Sequence, residues 1–262
     1  MNSNAGSQKD RVRSQFGKNA WKYIKSEGHA KGTDLENIVE WLVPSREWIC
    51  LDIATGGGHV AKALSRHAGT VVASDLTVGM LEAARIAIRD AGINNVLFIQ
   101  ADADSLPFLD STFDAVTCRI APHHFSDKEK FLEESSRVLK AGGKFLMVDN
   151  VTPEDRNMAD FMNAFESSRD PSHVSCASPG WWTDAISSHG LKVERVELRK
   201  KAYMFRSWAE RTAESREQID RTEKLILSAP GSLMEYYEVQ VEGSHVVSLK
   251  VDEMMVMASR AR

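Results

Sequence analysis

Apolar residues recur along this chain with two different periods. Between residues 11 and 43 they fall at mixed three- and four-residue spacing (Phe16, Ala20, Ile24, then Leu35, Ile38, Val39 and Leu42). That spacing predicts an N-terminal helical stretch, broken at Gly28 and Gly32 and ended by Pro44. From Trp48 to Asp149 short apolar runs alternate with amphipathic ones. Strands are predicted at Trp48–Ile53, Thr70–Ser74, Val96–Gln100, Phe113–Cys118 and Gly143–Val148. Helices are predicted after Gly58 (Val60, Ala61, Leu64), over Val78–Ala91 and over Asp127–Leu139. Strands that are apolar throughout, separated by helices, argue for a parallel sheet covered on both faces. Right-handed crossovers then reduce the topology to a doubly wound sheet.

After Asp149 the rhythm changes. Pro153–Asp170 and Trp181–Ser188 read as amphipathic helices, and Leu191–Tyr203 alternates as a strand does. Phe205–Ser228 predicts one long charged helix. Glu238–Ser259 holds two β-rich stretches around Glu242-Gly243, the mark of a hairpin turn. The expected fold is α/β: a doubly wound Rossmann-like open sheet of about seven strands. It would be mostly parallel, with a C-terminal antiparallel hairpin, an N-terminal helical cap and lid helices. No repeat or long linker divides the chain, so a single domain over 1–262 is expected. Its parts would be a cap (1–45), a ligand-binding core (46–150), a lid (151–190) and C-terminal strands and helix completing the sheet (191–262).

Composition narrows the function classes. The chain has 262 residues, 42% apolar and 27% charged, with a net charge of -4. Nucleic-acid binding calls for a basic excess, which is missing here. Cys50, Cys118 and Cys176 are far apart and form no C-x-x-C pair, which argues against a disulfide framework or a zinc site. Met1–Arg13 is too polar for a signal peptide. No run reaches the roughly 20 apolar residues needed to span a bilayer. A soluble, cytoplasmic protein is expected, without a nucleic-acid or membrane partner.

The strongest local motif is Leu51-Asp52-Ile53-Ala54-Thr55-Gly56-Gly57-Gly58-His59. Glycines where a strand turns into a helix let a ligand approach the backbone, and the helix N-terminus favours a negative group. Gly56-x-Gly58-x-x-Ala61 also satisfies the dinucleotide fingerprint. Asp52 leans the other way. A carboxylate there would repel a pyrophosphate but can hold an ammonium group, so it favours an amino-acid-bearing cofactor. Asp75 ends the second strand, where an acid can accept from ribose hydroxyls. Asp102, with small Ala103 beside it, can accept from an adenine amino group.

Together with these positions, Gln100-Ala101-Asp102-Ala103-Asp104-Ser105-Leu106-Pro107-Phe108, Ser111-Thr112-Phe113-Asp114-Ala115-Val116 and Arg137-Val138-Leu139-Lys140-Ala141-Gly142-Gly143-Lys144 resemble class I S-adenosylmethionine-dependent methyltransferases. The resemblance is greatest to the ubiquinone/menaquinone-biosynthesis C-methyltransferase branch. It implies S-adenosyl-L-methionine as cofactor, with S-adenosyl-L-homocysteine as product. It also implies cofactor contacts from Asp52, Ala54, Thr55, Gly56, Gly58, Asp75, Leu76, Met80, Asp102 and Ala103. Arg119 would lie near the methionine portion, and Tyr23 would be the aromatic folding over the cofactor. Ala54 departs from the pattern, since many relatives have glycine there. It adds only a methyl, so slight crowding and no loss of binding are expected.

The acceptor side is less legible. His123 and His124 follow the fourth strand, and either could act as general base on a phenol, enol or ring carbon. As neighbours on an extended chain they would point opposite ways. Both are the candidate catalytic residues. Asp149-Asn150 resembles a pair of magnesium ligands in catechol O-methyltransferases, but the remaining ligand has no counterpart after the fourth strand, so no metal is expected. Met158, Phe161, Met162, Phe165, His173, Trp181 and Trp182 could line an apolar acceptor pocket or be plain core, and His29 is a weaker candidate. The expected function is transfer of a methyl group to carbon or oxygen of a small-molecule acceptor. The alternatives are a non-catalytic cofactor-binding module and an NAD-dependent oxidoreductase, and a homodimer is left open.

Overall fold

A computed structural model describes residues 8–17 and 33–261. Among the described residues eight strands form a single sheet in the order β3-β2-β1-β4-β5-β8-β6, with β7 paired to β8. The parallel part comprises β1 (Ile49–Ile53), β2 (Thr70–Asp75), β3 (Val96–Gln100), β4 (Phe113–Arg119) and β5 (Leu139–Val151). Sequence order reverses between β1 and β4, which opens a crevice at their C-terminal ends. β8 (His245–Arg260) runs antiparallel between β5 and β6 (Leu191–Met204). The expected hairpin is present but lopsided. β7 is only Gln240–Glu242, turning into β8 through Gly243 at φ 61°.

Both faces of the sheet are covered, which is why its strands read as continuously apolar. Alternate residues go to opposite cores. Leu51, Ile53, Phe145 and Met147 pack with Phe131, Trp182 and Ile186 on one face. Cys50, Leu146 and Val148 pack with Ile38, Leu42, Val60 and Leu64 on the other. The helices behind these contacts are α2 (Thr33–Leu42), α3 (His59–Ser65), α5 (Lys128–Val138) and α7 (Pro179–Ser188). Residues 8–17 form α1, and Val78–Asp90 forms α4.

The expected long helix over Phe205–Ser228 is broken. It consists of α8 (Phe205–Ala209) and α9 (Arg216–Leu227), with Ser215 capping α9. Arg169, at the end of α6 (Arg156–Arg169), packs against the break. Its guanidinium sits 4.2 Å over the Trp208 ring and donates to Thr212 Oγ1 at 2.7 Å. Those contacts tie residues 208–212 to the end of α6. Gly231–Tyr236 forms α10, and α6, α8 and α9 enclose a third core around Phe165, Trp208 and Tyr237. Among the described residues no helix is long and apolar enough to cross a membrane.

Candidate active site

The crevice at the β1/β4 reversal is a cleft whose walls come from strand ends and α1. On one side lie Asp52, Ala54, Thr55, Gly56, Asp75, Leu76, Met80, Asp102 and Ala103. All of these positions were expected to meet a cofactor. Gly58 stands behind them as the N-cap of α3, at φ 77°. A Cβ there would meet Ile88 Cδ1 at 2.9 Å and Ala84 Cβ at 3.1 Å, so a side chain would crowd the packing as well as strain the turn. Ala54 adopts φ 52°, a left-handed conformation that is awkward for alanine. The departure from glycine therefore strains the backbone, where crowding was the expectation. Ile120, also on the cleft wall, has φ 53°, an uncommon conformation for a β-branched residue.

The acids are held in distinct ways. Asp52 is 1% exposed and accepts from Thr55 Oγ1 at 2.6 Å and Thr117 Oγ1 at 2.9 Å. Burial outweighs those bonds and pushes its carboxyl up to about 6. Asp75 accepts from the Gly56 and Thr77 amides at 3.0 and 2.9 Å, and burial pushes it up to about 6 as well. A carboxylate that burial makes costly is one that a cation or a pair of hydroxyl donors would relieve. This acceptor set fits the ammonium and ribose of S-adenosylmethionine.

Asp102 is held by Lys9, whose Nζ lies 2.6 Å from its carboxylate and 2.8 Å from that of Asp104. Lys9, Gln8, Val12 and Phe16 all come from α1 and line the cleft. Phe16 was visible as part of a helical stripe. The others lie in a stretch whose polarity concealed any role. Tyr23 and His29 lie outside the described residues. Arg119 lines the cleft and is ion-paired with buried Asp34.

The two histidines follow β4 on a 3-10 turn, Pro122–His124. This corrects the expectation of opposed side chains on an extended chain, because the turn brings the rings to 4.1 Å between centroids. Of the two, His124 lines the cleft. His123 lies behind it, with Nδ1 2.6 Å from Asp149 Oδ1 and its amide donating to Asp149 Oδ2 at 2.8 Å. His123, the other candidate base, does not line this cleft and is engaged by Asp149 instead. Burial pulls its pKa down, but Asp149 outweighs burial and raises it. Burial and the neighbouring His123 lower His124 to about 4. His124 Nδ1 lies 3.0 Å from the Ser172 carbonyl, which can only accept. The neutral ring therefore carries its proton on Nδ1 and keeps its lone pair on Nε2.

The segment 151–190, expected to form a lid, contributes no residue to the lining of this cleft. Met162, Phe165 and Trp182 are fully buried in the cores. His173 is also buried, its Nε2 3.0 Å from Asn163 Oδ1. Asp149 is engaged by His123, and Asn150 accepts from Tyr203 at 3.3 Å.

Comparison with known proteins decides the family. The family described as "Methyltransferase domain" matches residues 51–147. The uncharacterized methyltransferase YcgJ of Bacillus subtilis is 38% identical over 196 residues, covering 75% of this chain and 78% of the relative. The chain belongs to the S-adenosylmethionine-dependent methyltransferase family. The solved structure of YcgJ superposes with a TM-score of 0.85 at 30% identity, covering 88% of this chain and 99% of that one. The ubiquinone/menaquinone biosynthesis C-methyltransferase UbiE of Idiomarina loihiensis is 42% identical over 107 residues, 39% of this chain and 43% of the relative. A geranyl diphosphate C-methyltransferase from Streptomyces coelicolor, solved with S-adenosyl-L-homocysteine, has a TM-score of 0.61 at 14% identity. It covers 90% of this chain and 85% of its own, a likeness of fold.

Proposed function

We propose that the protein binds S-adenosyl-L-methionine and methylates carbon or oxygen of a small apolar acceptor, with His124 as general base. The observation that carries this reading is His124 on the wall of the cleft that also holds Asp52, Asp75 and Asp102. When bound, the cofactor supplies an electrophilic sulfonium methyl. Asp52 would hold its ammonium, Asp75 its ribose and Asp102 its adenine edge. The protein's further task is to align the acceptor and remove its proton. Val12, Phe16, Ile120, Ala121 and Phe125 give the cleft an apolar wall around His124, which suits an aromatic or lipid-like acceptor. Nε2 of His124 takes the proton from a phenol, enol or ring carbon.

Calorimetric titration with S-adenosylmethionine tests the cofactor, and Asp75→Ala should weaken that binding. Labelled cofactor, offered with phenols, quinols and small enols, tests the acceptor. His124→Gln should keep cofactor affinity and lose roughly 10²- to 10⁴-fold in transfer rate, the usual contribution of a general base. Binding of NAD alone would overturn the reading. Cofactor binding without transfer to any acceptor would mark a non-catalytic binding module.

A further inference from the structure

One backbone oxygen links three parts of the molecule that are distant in sequence. The Ser172 carbonyl lies 3.0 Å from His124 Nδ1 and accepts from Gln8 Nε2 at 2.6 Å. The carbonyl belongs to a tight turn in which Asp170 Oδ1 accepts from the Ser172 amide at 2.8 Å and its hydroxyl at 2.6 Å. The following residues, Val174 and Ser175, donate their amides to the His123 carbonyl at 2.9 and 3.2 Å. Phe16 and His124 meet in a T-shaped pair, ring centroids 5.1 Å apart. His124 is therefore gripped from the 170–175 loop and from α1 together. Gln8 is 6% exposed, so its amide hydrogen bond is made away from water, where leaving it unmade is costly.

We propose that Gln8 is a positioning residue for methyl transfer, holding the Ser172 carbonyl where it locks His124 in the Nδ1–H tautomer with Nε2 open to the cleft. The proposal rests on His124 being the base. A carbonyl oxygen has two lone pairs, so Gln8 and His124 share it without competing. The Gln8 amide fixes the oxygen, and the oxygen then selects the tautomer. Seating of α1 thereby does two things. Lys9 closes on Asp102 and Asp104 at the cofactor end, and Gln8 prepares the base at the acceptor end.

Long-range proton–nitrogen spectra of the histidine rings report the tautomer without an acceptor, with His124 assigned by its loss in His124→Gln. The wild-type protein should show His124 protonated at Nδ1 and not at Nε2. Gln8→Ala should introduce the Nε2–H form as a second population. Gln15→Ala is the control, since it removes another tie of α1, the bond to the Thr212 carbonyl at 2.7 Å, and leaves the Gln8–Ser172 bond in place. It should leave the His124 tautomer unchanged. An Nε2–H tautomer in the wild type overturns the proposal. So does a His124 signal in Gln8→Ala identical to wild type, or one that shifts equally in Gln15→Ala. An Nε2–H tautomer in the wild type would remove His124 as the base along with the role of Gln8, whereas a Gln8→Ala signal identical to wild type removes the role of Gln8 alone, and neither result bears on whether the cofactor binds.

Discussion

At the residue scale the site is organised by charge held out of water. Asp52 and Asp75 sit at about 6 because burial disfavours their ionised form. A cofactor that offers an ammonium to one and hydroxyls to the other needs both ionised. Above about pH 7 they already are, and binding takes no proton from them. Below about pH 6 binding must expel up to about two protons, so affinity should fall with acidification, approaching a slope of about two in log affinity against pH. Calorimetry in buffers of different ionisation enthalpy measures the protons released. An affinity that is flat from about pH 7.5 to 5 would mean that neither Asp52 nor Asp75 holds the cofactor as a carboxylate. The acids were legible in the sequence, because a carboxylate at a strand end on the crevice edge has few other reasons to be there. Lys9 and Gln8 were not. Nothing in a polar N-terminal stretch says that its lysine and glutamine fold back over sites 93 and 164 residues away, and of the cleft-lining residues of α1 only Phe16 belonged to a legible apolar stripe.

At the scale of elements, the strands were read to within a few residues because two covered faces leave a strong apolar signature. The tie between α6 and α8 was not, because it depends on a side chain inserted from elsewhere. Arg169 pairs with Glu166 at 2.6 Å, and Glu166 is 2% exposed. Arg169→Met should strand that carboxylate in the core and cost about 3–5 kcal/mol. Arg169→Met with Glu166→Gln should recover much of the loss, because the stranded charge is then gone. Urea unfolding of the two single variants and the double gives the cycle, and additive costs would show that the pair is not coupled. The glycine turn between β1 and α3 makes a second test. Gly58→Ala places a Cβ against Ile88 Cδ1 at 2.9 Å and Ala84 Cβ at 3.1 Å in a left-handed conformation. A loss of about 2–4 kcal/mol is expected from strain and overpacking together, read as a lowered unfolding midpoint. The 151–190 helices were left open between pocket and core for a related reason. Helically spaced Met and Phe look the same whether they face a ligand or a neighbouring helix, and here Phe165 meets Trp208 and Tyr237.

At the scale of the whole molecule, two sets of buried groups pull stability in opposite directions with pH. His124 sits at about 4 and His173 is also lowered, mainly by burial. Both are neutral when folded, and acid must charge them only on unfolding. Relative to an ordinary histidine of pKa about 6.5, they therefore lower stability progressively as pH falls below that value. Asp52 and Asp75 do the reverse, since their folded pKa is raised. Their contribution is fully present below the unfolded value of about 4 and is lost as pH rises through about 6. His123, raised by Asp149, adds to the acids' side. Between about pH 7 and 5 the ligand-free protein therefore exchanges one loss for another gain, and its unfolding temperature should change little. A cofactor that keeps both acids ionised cancels the gain and leaves the histidine loss exposed. The unfolding temperature with saturating S-adenosylhomocysteine should fall over the same window, and the shift produced by the ligand should shrink with it. Thermal scans with and without ligand at several pH values measure this directly. A ligand shift that stays constant from about pH 7 to 5 would mean that the acids do not ionise on binding, and the charge logic of the cleft would have to be assigned to other groups.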